Sequence, residues 1–170
     1  LRIEADNLLE QGNIEEAESY YKEALELYNQ ALEIYIRIDR TQGIIEATRK
    51  NGVVHSKLGN LDEAENKFIN ALKLSQDNNL FQYTANIQTS LGNISGIRDN
   101  YPQALEYFLN ALETAQNIGD RIGEALNLGN IGLVYSNLGK NSTAIDYFKQ
   151  SLELTKQTGD KRLEGSTYLN

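Results

Sequence analysis

The 170-residue chain contains no cysteine, methionine or tryptophan, and it has a single histidine and a single proline. Without cysteine it cannot form a disulfide framework, a cysteine-ligated zinc site or a thiol nucleophile. One histidine cannot build the multi-histidine sites that hold many transition metals. We therefore expect no metal site and no cofactor, and we identify no candidate catalytic residue.

Positive charge is also scarce, with 16 lysine and arginine residues against 24 aspartate and glutamate residues and a net charge of −8. Nucleic acids and anionic membrane surfaces attract basic proteins, so we expect neither as a partner. No apolar run approaches the ~20 residues of a membrane-spanning helix, and the first residues lack the apolar core of a signal peptide. We expect a cytoplasmic protein. Because the chain starts and stops within a repeating pattern, we also expect a piece of a longer one.

Three sets of small or aromatic residues recur at a constant step of 40 residues. They are Gly52, Gly92 and Gly132; Ala64, Ala104 and Ala144; and Phe68, Phe108 and Phe148. Within one unit, the residues at 64, 68, 71 and 72 are all apolar and have the spacing of one helix face. The pattern predicts an all-α chain of repeated helix pairs.

Turn-forming residues divide each unit into two helices. Gly59-Asn60 and Gly139-Lys140-Asn141 predict polar turns, with Asn60 and Asn141 as N-caps. Gly119-Asp120 and Gly159-Asp160 predict a helix-ending glycine followed by the next N-cap. Glycine inside a helix costs ~1 kcal/mol relative to alanine, so the recurring helical glycines predict close helix packing. We expect each of them to meet the recurring alanine that follows it in the same hairpin.

These positions resemble the consensus of the tetratricopeptide repeat, which has two small residues, then an aromatic residue and then an alanine at fixed spacings. With Ile45, Ala85 and Ala125 as first residues, the chain supplies all three sets above, followed by Ala71, Ala111 and Ser151. The 40-residue step resembles the subclass found in Leu-Gly-Asn-repeat adaptors and in bacterial signalling proteins, since the usual repeat has 34 residues. The resemblance implies an α-α superhelical solenoid of antiparallel helix hairpins.

We expect residues 1–170 to form a single repeat domain. Its units fall at about 1–40, 41–79, 80–119 and 120–159, with the start of a further repeat at 160–170. The first unit is longer than the others because the heptad that starts at Ala24 is repeated from Ala31. Seven extra residues add about two helical turns, which predicts one long helix from about Ile14 to about Ile38.

Two interpretations of this long helix stay open. Either the duplication is merely tolerated at the end of the array, or its apolar side chains Leu27, Ile34 and Ile38 form a dimer or interdomain contact. Self-association is therefore a further expectation, through this helix or through the cut ends of the array.

The resemblance also implies that the first helix of each pair lines a concave, peptide-binding groove. The groove residues that it assigns here are Arg49, Lys50, Val53, Lys57, Asn86, Asn93, Leu126, Asn130, Leu133 and Asn137. Amide side chains can hydrogen-bond with a peptide backbone as donors and as acceptors, and the apolar side chains can contact ligand side chains. We therefore predict that a protein or peptide ligand binds in this groove.

Asn93 and Asn130 occupy positions where co-chaperone members of the family carry a carboxylate clamp. The clamp is incomplete here. Thr89 stands at the position of its lysine, and Ser166 and Asn170 stand at the positions of its other two basic residues. The two asparagines therefore either contact a peptide or form an amide ladder between neighbouring first helices.

The basic residues Arg49, Lys50 and Lys57 either are ordinary solvated helix charges or bind an acidic side chain or a terminal carboxylate. His55 falls at a packing position between helices, so we interpret it as structural rather than catalytic.

These patterns predict a non-catalytic scaffold that binds a partner peptide or helix. The segment from Gly129 to Gly132 lies inside a helix pattern and lacks the lysine of a phosphate-binding loop, so it does not indicate an enzyme. Two alternatives are a structural spacer or self-association module and a peptide-sensing regulatory domain of a larger signalling protein.

Overall fold

The structure is a computed structural model that describes residues 2–10 and 13–158, without the side chains of residues 8–10. Within these ranges it contains eight helices and no strand. The fold class is therefore all-α, of the α-α solenoid type built from antiparallel helix hairpins, as predicted. The turn at Gly159-Asp160, the clamp positions Ser166 and Asn170 and the further repeat at 160–170 lie outside the described residues.

The chain divides into two compact units between Asn78 and Asn79. The first unit contains α1 (Arg2–Glu10), α2 (Ile14–Arg37), α3 (Thr41–Lys57) and α4 (Leu61–Asp77). One apolar cluster of this unit consists of Ala5, Ala17, Tyr21, Ala24 and Val54. The second unit contains α5 (Phe81–Ile97), α6 (Tyr101–Ile118), α7 (Arg121–Asn137) and α8 (Asn141–Thr158). Its apolar core includes Ala104, Phe108, Leu112, Leu128, Ile131 and Val134. The single domain with its repeat boundaries stays a prediction.

The helices follow the 40-residue step of the sequence. The first helices α3, α5 and α7 begin at Thr41, Phe81 and Arg121, and each has 17 residues. Helix α2 has 24 residues and spans Ile14–Arg37, which confirms the predicted long helix. At 1.5 Å per residue it is about 36 Å long, against about 26 Å for a first helix of the other hairpins.

A residue with left-handed backbone conformation follows six of the helices at intervals of twenty residues. Three of these residues are glycines, with φ between 71° and 78°, and three are Asp39, Asn79 and Asp99, with φ between 52° and 56°. Glycine adopts this conformation without steric cost, while aspartate and asparagine are the side chains that tolerate it best. Sequence analysis identified the glycine turns and missed the other three, because aspartate and asparagine also occur at N-caps and within helices.

Two of the predicted N-caps, Asp120 and Asn60, occupy the expected positions, and Asn141 does not. The Asp120 side chain accepts a hydrogen bond from the backbone N–H of Gly123 at 3.0 Å, as expected of an N-cap. Asn60 occupies the N-cap of α4 without a side-chain hydrogen bond, and Asn141 is the first residue of α8. The cap that forms instead is Asn100, which accepts from the backbone N–H of Gln103 at 3.5 Å.

The recurring helical glycines make room for an aromatic ring. A β-carbon placed on Gly52, Gly92 or Gly132 would lie 2.9, 2.5 or 2.7 Å from Cε1 of Phe68, Phe108 or Phe148, respectively. The nearest atoms thus belong to the phenylalanine of the same hairpin and not to the alanine that we expected. Since real β-carbons essentially never lie this close to a ring, a side chain at any of these three positions would force neighbouring atoms to shift.

Candidate functional site

One buried polar contact joins the first helices α5 and α7. The hydroxyl oxygen of Thr89 lies 2.9 Å from Oδ1 of Asn127, and Nδ2 of Asn127 donates to the carbonyl oxygen of Gly123 at 2.9 Å. Nearer the start of both helices, the Gln82 amide donates to the Asp120 carboxylate at 2.7 Å. Because Asn127 is fully buried, a small shift of one helix that breaks this contact would leave Asn127 Oδ1 without a partner, which favours the observed spacing.

Six of the predicted groove residues form one surface on these two helices, which we name the α5–α7 face. It consists of Asn86 and Asn93 on α5 and of Leu126, Asn130, Leu133 and Asn137 on α7. All are exposed except Asn130, which is half-buried. Positions 86 and 126, and 93 and 133, are equivalent in the repeat, so both rows lie on the same side of the helix pair.

The α5–α7 face is uncharged. Helix α5 contains no charged residue at all, and the charged residues of α7 lie in its first turn, at Arg121 and Glu124. Four amide side chains therefore stand beside two exposed leucines in a chain of net charge −8. Such a surface can bind a neutral backbone and apolar side chains, because amides donate and accept hydrogen bonds while leucine contributes apolar contact.

The predicted amide ladder does not join Asn93 to Asn130. Among the described residues, no hydrogen bond links these two side chains, and the link between α5 and α7 is made by Thr89 and Asn127 instead. Thr89, which stands at the position of the clamp lysine, is buried and does not contribute to the exposed surface. Sequence analysis missed Asn127, although a lone asparagine inside the apolar run Ala125–Leu128 is a signal for a buried polar contact.

The remaining four groove residues lie on α3 in the first unit, where the cations already have partners. Arg49 donates two hydrogen bonds to the Glu46 carboxylate, at 3.0 and 2.9 Å, and Nζ of Lys50 is 3.5 Å from Glu46 Oε1. Burial alone would raise the pKa of Glu46, but the two cations outweigh it and lower this pKa below its ordinary value. A ligand carboxylate would therefore compete with Glu46 for Arg49 and Lys50. The fourth residue, Val53, lies beside them and is half-buried.

Lys57 is tied to the first helix of the chain. Its Nζ lies 3.4 Å from Oδ1 of Asp6, and the same oxygen accepts a hydrogen bond from the Tyr21 hydroxyl at 2.6 Å. Burial and the neighbouring Asp6 carboxylate both raise the pKa of Tyr21, so this phenol stays protonated and acts as a donor. The contact holds α1, α2 and α3 together and leaves half of the Lys57 side chain exposed.

His55 has the environment of a structural residue. It is half-buried on α3, and its Nδ1 atom is buried without a hydrogen-bond partner. Burial lowers its pKa, and Lys67 on α4 lowers it further, against a smaller opposite effect of Glu63. One helical turn earlier, the buried Asn51 donates to Asn29 Oδ1 at 2.6 Å, which fixes α3 against α2.

Residues 2–10 and 13–158 contain no cluster of three or more acidic or histidine side chains able to hold a metal ion. No helix in the same ranges combines the length and the apolar character that crossing a membrane requires.

The fold is shared with solved structures of helical-repeat proteins. The Rap conjugation gene regulator of the plasmid pLS20, solved in complex with the Phr* peptide, superposes with a TM-score of 0.77 at 19% identity. A Rap protein complexed with competence and sporulation factor gives a TM-score of 0.79 at 14% identity. Each match covers 91% of this chain, and the chain spans less than half of each Rap protein, 43% and 44%.

A third similar structure belongs to a different protein class. It is a signal transduction ATPase with numerous domains and a tetratricopeptide repeat sensor from Pyrococcus horikoshii. It matches with a TM-score of 0.69 and 24% identity over 98% of this chain and 24% of its own length. At these identities the three likenesses show the fold, and no protein of curated function matches the sequence significantly.

The sequence itself matches a family in two places. Two family profiles, both described as tetratricopeptide repeat, match residues 83–157 and residues 5–37. The first covers all of the α5–α7 face, and the second covers all of α2. Together with the eight-helix fold, these matches show that the chain belongs to the tetratricopeptide repeat family.

Proposed function

We propose that this chain is a non-catalytic protein-interaction module and that the α5–α7 face binds an extended segment or a helix of a partner protein. The observation that carries the proposal is the uncharged row of four asparagines and two leucines on two helices of fixed spacing. Exposed amides lose water on binding and regain hydrogen bonds from a peptide backbone, which has one donor and one acceptor in almost every residue.

Rigidity of the two helices favours binding on this face. Thr89 and Asn127 hold α5 and α7 at a fixed distance before any ligand arrives, so little ordering entropy is lost on binding. Leu126 and Leu133 are exposed by 42% and 37%, and they lie two turns apart on α7. We propose that they contact apolar side chains of the bound segment while the asparagines contact its backbone.

The α3 residues Arg49, Lys50, Val53 and Lys57 form a second, weaker candidate contact in the first unit. Each of the three cations already faces a carboxylate, so we propose that an acidic ligand group exchanges with Glu46 or Asp6 rather than filling an empty site. The energy of such an exchange is small, because exposed ion pairs contribute about 1 kcal/mol or less.

The similar structures are in line with a peptide ligand. Two of the Rap structures were solved with a peptide or with competence and sporulation factor bound. A second candidate function, a regulatory sensor domain within a larger signalling protein, is favoured by the repeat sensor of the Pyrococcus horikoshii ATPase. The cytoplasmic location and the lack of nucleic-acid and membrane partners stay predictions.

A peptide-display selection on the purified chain tests the binding proposal. Peptides selected by the wild-type chain would be measured by isothermal titration calorimetry against the double variant Asn93→Ala/Asn130→Ala. We expect at least a tenfold loss of affinity, which is about 1.4 kcal/mol and the scale of one or two hydrogen bonds.

The matched control is Asn66→Ala/Asn110→Ala, which removes two exposed asparagines from the second helices α4 and α6. This control should bind as the wild type does. Equal affinity of all three proteins would place the peptide elsewhere, and a selection that yields no peptide would favour the spacer alternative.

A further inference from the structure

Leu126 and Leu133 occupy repeat positions that stay exposed when a neighbouring first helix is in place. The residues at the same positions of α5 are Asn86 and Asn93, and both are exposed although α7 packs against α5. A helix packed against α7 in the same way would leave the two leucines accessible too. Their exposure is therefore a property of the repeat position.

The α5–α7 face consists of two rows that repeat at the same interval. Asn86 and Asn93 are seven residues apart on α5, and Leu126 and Leu133 are seven residues apart on α7. Seven residues make almost two full turns and rise by about 10.5 Å, so the two members of each pair lie on one side of their helix. The face thus presents an amide row and an apolar row, each with about 10.5 Å between its members.

Asn130 lies between these two rows. Asn127 contacts Thr89 on α5 and so marks the side of α7 that faces α5. On a helical wheel Asn130 falls between Asn127 and Leu126, about 60° from the first and about 40° from the second. A segment that runs lengthwise along the strip between α5 and α7 would therefore have the leucines on one side, the α5 asparagines on the other and Asn130 beneath it.

The interval of about 10.5 Å distinguishes among three conformations of such a segment. A β-strand returns a side chain to the same side about every 6.6 Å, so its side chains do not match this interval. An α-helix matches it after seven residues, but its backbone groups are hydrogen-bonded internally and cannot pair with the asparagines. A polyproline II helix repeats after three residues, about 9.3 Å, and its backbone groups are free of internal hydrogen bonds. This third conformation comes close to the interval and also leaves the backbone available.

We propose that the segment bound by the α5–α7 face is an uncharged polyproline II helix with apolar residues at positions i and i+3. This inference rests on the proposed function and names the class of its ligand. The two apolar side chains contact Leu126 and Leu133, and the Asn130 amide pairs with the backbone between them. Proline suits the other positions of the segment, because its fixed φ reduces the entropy lost on binding.

The charge of the face decides which side chains the segment can carry. All six residues of the face are uncharged, so a ligand charge at position i or i+3 would lose water against leucine without gaining an opposite charge. We therefore expect apolar residues at these positions. Binding to an uncharged face should also be insensitive to salt, because salt screens interactions between charges.

A series of synthetic peptides tests the spacing. Each peptide has capped ends, consists of proline, alanine and glutamine, and carries two leucines separated by two, three or four residues. Affinity is measured by NMR titration of the isotope-labelled chain, following the side-chain amide signals of Asn86 and Asn93. We expect the three-residue spacing to bind about fivefold more tightly than the other two, with the same affinity at low and high salt.

Leu133→Ala should abolish the preference for the three-residue spacing, because one of the two apolar contacts is then lost. The matched control is Leu109→Ala, which removes a leucine that is 46% exposed on the second helix α6, against 37% for Leu133. This control should keep the preference. Circular dichroism checks that the wild type and both variants are equally helical.

Three results would overturn the inference: equal affinity at all spacings, a tighter fit of the two-residue or four-residue spacing, or no binding of any of these peptides. The proposed function would survive each of them if peptides selected by display still bind and lose affinity in Asn93→Ala/Asn130→Ala. A display selection that yields no bound peptide would overturn both.

Discussion

Thr89 and Asn127 stand 38 residues apart in the sequence, and their side-chain oxygens lie 2.9 Å apart between α5 and α7. Each is buried, and each sits on a helix that carries exposed residues of the α5–α7 face. The spacing of the face therefore depends on a buried contact that lies beneath it. A buried polar contact can fix a helix register in this way, because a shifted register leaves its atoms unpaired.

The first prediction concerns this contact. Thr89→Val keeps the shape of the side chain but removes its hydroxyl, so Oδ1 of the fully buried Asn127 loses its partner. We expect the free energy of unfolding, measured by urea denaturation, to fall by about 1–3 kcal/mol. The control Ser90→Ala removes the neighbouring hydroxyl, which is less buried and bonds within its own helix to the Asn86 carbonyl. It should change stability by about 0.5 kcal/mol or less, and equal losses in both variants would contradict the assigned role.

The second prediction uses two glycines on α5. In Gly92→Ala the new methyl group would lie 2.5 Å from Cε1 of Phe108, whose ring is buried, so neighbouring atoms must shift. We expect a loss of about 1–3 kcal/mol from overpacking. In Gly96→Ala, one turn later, the methyl group meets no atom within 4 Å. Here alanine should stabilise by up to about 1 kcal/mol through its higher helix propensity. Thermal unfolding checks both, and a gain in both variants would exclude the tight glycine–phenylalanine contact.

The third prediction concerns the pH dependence of stability. The pKa of His55 is lowered in the folded chain, first by burial and then by Lys67. The unfolded chain therefore binds the proton at higher pH, and the free energy of unfolding falls as the pH drops below about 6.5. This loss ends once the pH is below the folded pKa. Urea unfolding at pH 7.5 and 5.5 measures the effect.

The matched variant for this experiment is His55→Tyr, because Tyr135 stands at the equivalent position two repeats later and stacks on Tyr147 at 5.4 Å. Removing the imidazole should reduce the difference in stability between the two pH values. An unchanged difference would assign the pH dependence to other groups.

Much of the fold could be predicted from the sequence, because its signals are local. The 40-residue recurrence of glycine, alanine and phenylalanine predicted the hairpins, and the repeated heptad predicted the length of α2. The left-handed turns at Gly59, Gly119 and Gly139 could be predicted because a glycine at a helix end has few other structural roles. Asp39, Asn79 and Asp99 were missed because their residue type fits several local structures.

The candidate site could likewise be predicted from the sequence only in part. The sequence by itself determined which residues point outward from the first helices, since helical spacing alone separates Asn86 and Asn93 from the buried Gly92. The tertiary structure decided that Thr89 is buried against Asn127 and that Glu46 pairs with Arg49 and Lys50. The partner of a polar or apolar side chain depends on where a second helix ends and how it is rotated, and one helix's spacing does not contain that information.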